Sequence, residues 1–171
     1  MVRHHKIGIA VRAAAIIFVI AAALFLTSRA GYYLTLRDRD TGALYARWRL
    51  GEGDRFSVTF IHSVNKYPLT DTYEIENQHI YVEETIYSAF GAGVQTELNP
   101  GEVLDRVYID RPDYKGLAMV IRNIHQNRDN VGYIVGTVSD HTLTVNGREI
   151  SLRELCGKNA AVRFNYEFFW W

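Results

Sequence analysis

From Tyr32 onward, apolar and polar residues alternate one for one in short runs, broken by turn signals about every eight to twelve residues. A period of two sends successive side chains to opposite faces, which a helix of about 3.6 residues per turn cannot do. The runs are "YYLTLRD", "ALYARWRL", "RFSVTFIHSV", "LTDTYEIE", "HIYVEETIYS", "VLDRVYI", "GLAMVIRNI", "VGYIVGTVS", "TLTV" and "AVRFNYEFFWW". Beta-branched and aromatic residues fill them. Asn146-Gly147 is the signature of a tight hairpin whose two central residues need positive φ. "SLRELCG" reads as a short, half-buried helical turn carrying Cys156, the only cysteine, which excludes an internal disulfide. The expectation is an all-β fold, an antiparallel sandwich or a small barrel of short strands.

The start of the chain is different. "MVRHHK" is a basic head, "AAAIIFVIAAALFL" (13–26) is uncharged and apolar, and "TSRAG" offers Ser28 and Ala30 at the small-residue spacing of a signal cleavage site. Counted from Ile7, the apolar stretch also approaches the length of a spanning helix, with Arg12 near one end. A cleaved signal and a retained anchor both stay open. The sequence therefore divides into 1–30, a signal peptide or membrane anchor helix, and 31–171, an extracytoplasmic domain. The expected location is periplasmic, or on the cytoplasmic membrane with the C-terminal domain outside. Arg3, Lys6, Arg12 and Arg29 all lie in the first part, which holds no acid, so the remainder carries about four more acids than bases. That balance argues against nucleic-acid binding, which depends on Lys and Arg.

One hairpin concentrates the chemistry. Phe56, Val58, Phe60, His62 and Val64 alternate onto one face, as do Leu69, Asp71, Tyr73 and Ile75. With "NKYP" (65–68) as the turn, His62 falls opposite Asp71 on the core side. A buried carboxylate needs a donor and an imidazole N–H supplies one, so the pair is either a polar staple or a ligand-binding or catalytic element. Ser63, adjacent to His62 in the strand, points to the other face and cannot form a dyad with it. "DRDTG" (38–42) resembles a calcium loop but lacks the later glutamate, and reads as a hairpin turn. His79, His125 and His141 fall at strand starts or loops without metal spacing, and are expected in solvent. The two glycines of "FGAGV" (90–94) indicate a bend, or backbone N–H groups open to an anion.

"FIHSVNKYP", "DTYEI" and "SAFGAGV" together resemble a bacterial family catalogued as domain of unknown function 1850. The resemblance falls on His62, Ser63, Val64, Pro68, Asp71, Tyr73, Gly91, Ala92 and Gly93. In that family the acid is more often glutamate. Its members are often encoded beside TRAP transporters of the TAXI solute-receptor class, which take up organic anions. The resemblance thus implies a non-catalytic accessory or binding module. Its expected partners are a TRAP membrane or solute-receptor subunit and a small organic anion. The alternatives are a small extracytoplasmic enzyme using His62 as a general base oriented by Asp71, or a structural envelope protein. Ligand-binding candidates are His62, Ser63, Asp71, Tyr73, Gly91 and Gly93. No metal site and no cofactor is expected.

Overall fold

In a computed structural model that describes residues 15–22, 25, 29–62, 66–88, 97–112 and 114–170, the alternating runs form strands of two antiparallel sheets. The smaller sheet has the order β2-β1-β11-β8 and the larger β10-β9-β3-β4-β5-β7-β6. The strands are β1 (Gly31–Asp38), β2 (Leu44–Arg49), β3 (Arg55–Ile61), β4 (Pro68–Glu76), β5 (His79–Tyr87) and β6 (Val103–Arg111). They continue with β7 (Tyr114–Asn127), β8 (Gly132–Ile134), β9 (His141–Val145), β10 (Arg148–Ser151) and β11 (Ala161–Phe169). A single turn of helix, α1 (Leu152–Cys156), begins at Ser151, whose side chain accepts the N–H of Glu154. Of the two expected architectures, the sandwich is the one formed.

The inner faces meet in one main core. Leu34, Leu36, Val162 and Phe164 of the smaller sheet pack with Phe56, Val58, Tyr73, Ile75, Leu143 and Val145 of the larger. Phe56 and Phe164 touch across the gap with ring centroids 5.5 Å apart. Each such side chain taken from water contributes about 1.5–3 kcal/mol. Leu69, Tyr87 and Ile121 form a second, smaller cluster. Beyond it, β6 is half to fully exposed on both faces, so the smaller sheet does not reach that end of the larger one.

Turn chemistry follows the sequence closely. Asn146 and Gly147 both have positive φ, 51° and 71°, between β9 and β10. The Asp38 carboxylate accepts the backbone N–H groups of Asp40 and Thr41 and the Thr41 hydroxyl, closing the β1–β2 hairpin. Those bonds hold its pKa down at about 2. One strand is much shorter than its alternation suggests. "VGYIVGTVS" pairs only over β8, and from Val135 the chain turns into a loop. Residues 15–22 are helical and expose Ile16, Ile17, Phe18 and Val19. No helix among the described residues is long and apolar enough to cross a membrane.

Candidate functional site

The hairpin of β3 and β4 keeps the expected faces and changes the expected register. Val58, not His62, lies opposite Asp71, with Phe56 opposite Tyr73 and Phe60 opposite Leu69. β3 ends at Ile61 and β4 begins at Pro68, so the connection is six residues rather than four. His62 N–H donates to the Tyr67 carbonyl (2.9 Å) and Lys66 N–H to the His62 carbonyl (3.0 Å), which closes the longer loop. The pairing has slipped by an even number of residues, and an even slip leaves every side chain on its own face. On the core face Phe56 meets Tyr73 and Phe60 meets Leu69, and only Val58 faces a polar side chain, so the hydrophobic pattern tolerates both registers. Asp71 therefore does not orient His62, and the staple or base–orienter pair expected from the sequence does not exist.

Asp71 instead joins the two sheets. Thr85, its register neighbour on β5, donates its hydroxyl to Asp71 Oδ1 at 2.8 Å. Tyr133 reaches from β8 of the smaller sheet and donates to Oδ2 at 3.3 Å. The Tyr133 and Tyr73 hydroxyl oxygens are 2.5 Å apart. Burial raises the Asp71 pKa above the ordinary carboxylate range, only partly opposed by the two hydroxyls and by Arg128. Burial likewise raises the pKa of both tyrosines. A cavity of about 180 Å³ opens beside the cluster, lined in part by Asp71, Thr85, Gln126 and Arg128. Its polar groups are largely engaged with one another, as a structural junction requires.

His62 borders a different and larger cavity, about 430 Å³, at the end of the sandwich. Phe60, Ile61, Ile134 and Val138 give it apolar walls, and His62, Lys66 and His141 bring the nitrogen groups. No Asp or Glu is among the described residues that line it. His141 was expected in solvent, yet it is buried at 8 % exposure. Its ring stacks on Phe60, centroids 5.0 Å apart. The Gly136 N–H donates to His141 Nδ1 at 3.2 Å, which places the ring proton on Nε2. Burial lowers the His141 pKa, so the ring is neutral at pH 7 and a hydrogen-bond donor through Nε2.

The loop that forms one wall is tied down by β10 and α1. Asp140 accepts the Ser151 hydroxyl, the Arg153 N–H at 2.9 Å and the His141 N–H at 2.7 Å. Arg153 Nη2 donates to the Gly136 carbonyl at 2.9 Å. Asp140 is thereby occupied in binding its loop to β10 and α1. Gly136 has no alternative here, because a Cβ would sit 2.2 Å from the Ser139 carbonyl oxygen.

The sequence candidates are thus divided between two places. His62 lies at the larger cavity, while Asp71 and Tyr73 belong to the cluster between the sheets. Ser63, Gly91 and Gly93 lie outside the described residues. His79 and His125 are exposed and face carboxylates, Asp129 at 2.5 Å and Glu83 at 2.7 Å. No group of three or more His, Cys, Asp and Glu among the described residues is placed to hold a metal ion. Cys156 is half-buried and its pKa is raised to about 11 by burial, far from the range of a reactive thiol. Tyr133 and His141 are the residues that sequence reasoning missed. His141 had a signal, since "HTLTV" alternates and puts it on the face of Leu143 and Val145.

No curated protein and no solved structure matches the chain. Residues 56–152 run from β3 to the first residue of α1 and include His62, Asp71, Tyr133 and His141; they match the family model described as a domain of unknown function (DUF1850), and the chain belongs to that family.

Proposed function

We propose that this protein is a non-catalytic, extracytoplasmic binding module that holds a small organic anion and serves a TRAP-type transporter. The observation that carries the reading is the cavity at the end of the sandwich. Lys66, His62 and His141 line it together with apolar side chains, and no carboxylate is among its described lining residues. A site of that kind suits a ligand with one anionic end and a short hydrocarbon body. An anion seated beside His141 would also favour ring protonation, strengthening its own binding. The basic head and apolar run of residues 1–30 support export, and the family's genomic company with TAXI transporters supports the partner.

Titration calorimetry of the full chain in detergent against a panel of short mono- and dicarboxylates tests the ligand. Saturable binding is expected, weakened about tenfold or more by Lys66→Gln, since a charge-assisted bond contributes about 1.5–3 kcal/mol. Absence of binding across the panel, or binding indifferent to Lys66→Gln and His62→Gln, would reject the reading. Co-purification from native membranes, with the N-terminal segment intact, tests the transporter as partner.

A further inference from the structure

The outer edge of the larger sheet has an unusual order of charges. β6 is its last strand, so the backbone groups on its far side have no ladder partner among the described residues. Strands in that position are ordinarily guarded by charged side chains, lysine above all, by proline, a bulge or short length. Of these β6 has only charge, in two Asp and two Arg. It runs for nine residues in unbroken register with β7, and its sequence VLDRVYIDR contains neither lysine nor proline. It also exposes apolar surface. Tyr108 is 60 % exposed, and Leu117, its partner on β7, 62 %.

We propose that β6 pairs with β6 of a second copy of this chain, antiparallel about a two-fold axis through Tyr108. The argument is charge complementarity. In the segment Asp105-Arg106-Val107-Tyr108-Ile109-Asp110-Arg111, reversal about Tyr108 sets Asp105 opposite Arg111 and Arg106 opposite Asp110. Val107 then faces Ile109, and the two Tyr108 residues meet at the axis. Every charge finds its opposite, twice over, and apolar meets apolar on both faces of the sheet.

Neighbouring registers lose this match: a slip of two residues sets Asp105 against Ile109 in one direction and Tyr108 against Asp110 in the other. A slip of one residue in one direction sets Asp105 against Asp110, and in the other Arg106 against Arg111. The acids already hold cations on the β7 side, Arg122 on Asp105 at 2.8 Å and Lys115 on Asp110 at 2.9 Å. The pairing is isologous, closes on itself at two copies and joins the two large sheets edge to edge.

Cysteine cross-linking in the full chain tests it, with Cys156→Ser removing the native thiol. Antiparallel partners have Cα atoms about 4.5–5.5 Å apart, within the disulfide range of about 4.4–6.8 Å. Tyr108→Cys is expected to give a covalent dimer under mild oxidation, about tenfold faster than Leu117→Cys, which is as exposed but off the axis. Asp110→Arg in the Tyr108→Cys chain is expected to slow the link about tenfold, and adding Arg106→Asp to restore it. Equal linking by the Tyr108→Cys and Leu117→Cys chains would overturn the proposal. So would a Tyr108→Cys chain that links to a different protein, or a charge-swapped chain that stays as slow as the single variant.

Discussion

Two cavities lie near one hairpin and have opposite chemistry. Between the sheets, Asp71 is an acid held by hydroxyls in a space of about 180 Å³. At the end of the sandwich, His62, Lys66 and His141 face a space of about 430 Å³ with no acid among its described lining residues. The first has regular strands for walls and most of its polar groups already bonded to one another. The second is walled partly by a loop and lined by basic and apolar side chains. A saturated polar cluster holds a fold together, whereas a wider cavity with apolar walls and basic side chains suits a ligand.

The largest expected effect comes from the loop wall. Gly136→Ala sets a methyl against the Ser139 carbonyl, and because backbone cannot swing aside as a side chain can, the cost should be about 3 kcal/mol. Urea unfolding measures it; anion binding should fall in parallel while the Asp71 cluster is untouched. A cost near zero would mean the wall is pliable and the contrast between the cavities weaker than drawn.

Asp71→Leu acts on the other side. It strips the acceptor from Thr85 and Tyr133 and should cost about 2 kcal/mol, with carboxylate affinity at the larger cavity unchanged. Loss of ligand binding in that variant would merge the two sites into one.

The pH dependence is subtler. The folded-state pKa of Asp71 is raised by burial, so between its unfolded value and its folded value the native state binds more protons than the unfolded one. Asp71 thus favours the fold at low pH, and that contribution is lost as pH rises through its folded pKa. Asp71→Asn keeps the shape without the titration. Its stability should decline less than wild type on going from pH 4 upward, and equal slopes would place the carboxylate in a wetter setting.

The smallest effect is the coupling between the cavities. His62→Leu and Asp71→Leu should add to within about 0.5 kcal/mol in a double-mutant cycle, because Val58, not His62, stands opposite Asp71. A coupling above about 1 kcal/mol would restore the shorter turn.

Faces were legible in the sequence and pairings were not. Alternation identifies Phe56, Val58, Leu69, Tyr73 and Ile75 as inward, and all five are buried. It carries no information about a slip by an even number of residues, and a six-residue loop costs little more entropy than a four-residue one. The Asp71 cluster was hidden for another reason. Tyr133 comes from the opposite sheet, 62 residues along the chain from Asp71, and no local pattern encodes that approach. The cavity loop misled for the same reason that the strands were found. "VGTVS" alternates, yet Arg153 and the Asp140 carboxylate anchor it as irregular chain. The asymmetry between 1–30 and the rest, by contrast, could be read directly from charge and hydropathy.

The pairing of β1 with β11 bears on how such a chain is made. Gly31 through Asp38 find their partners in Val162 through Phe169, with Thr35 bonded to Asn165, 130 residues further along the chain. On the ribosome β1 emerges well before β11. Until then the smaller sheet exists only as the β1–β2 ribbon, which is marginal alone, and the inner face of the larger sheet stays uncovered. Long-range strand pairing of this kind folds slowly and leaves sticky intermediates. Biogenesis therefore hinges on β11: a chain stopped at Ala160 lacks the strand that binds β1 to β8, and a protease or chaperone would meet an open half-sandwich.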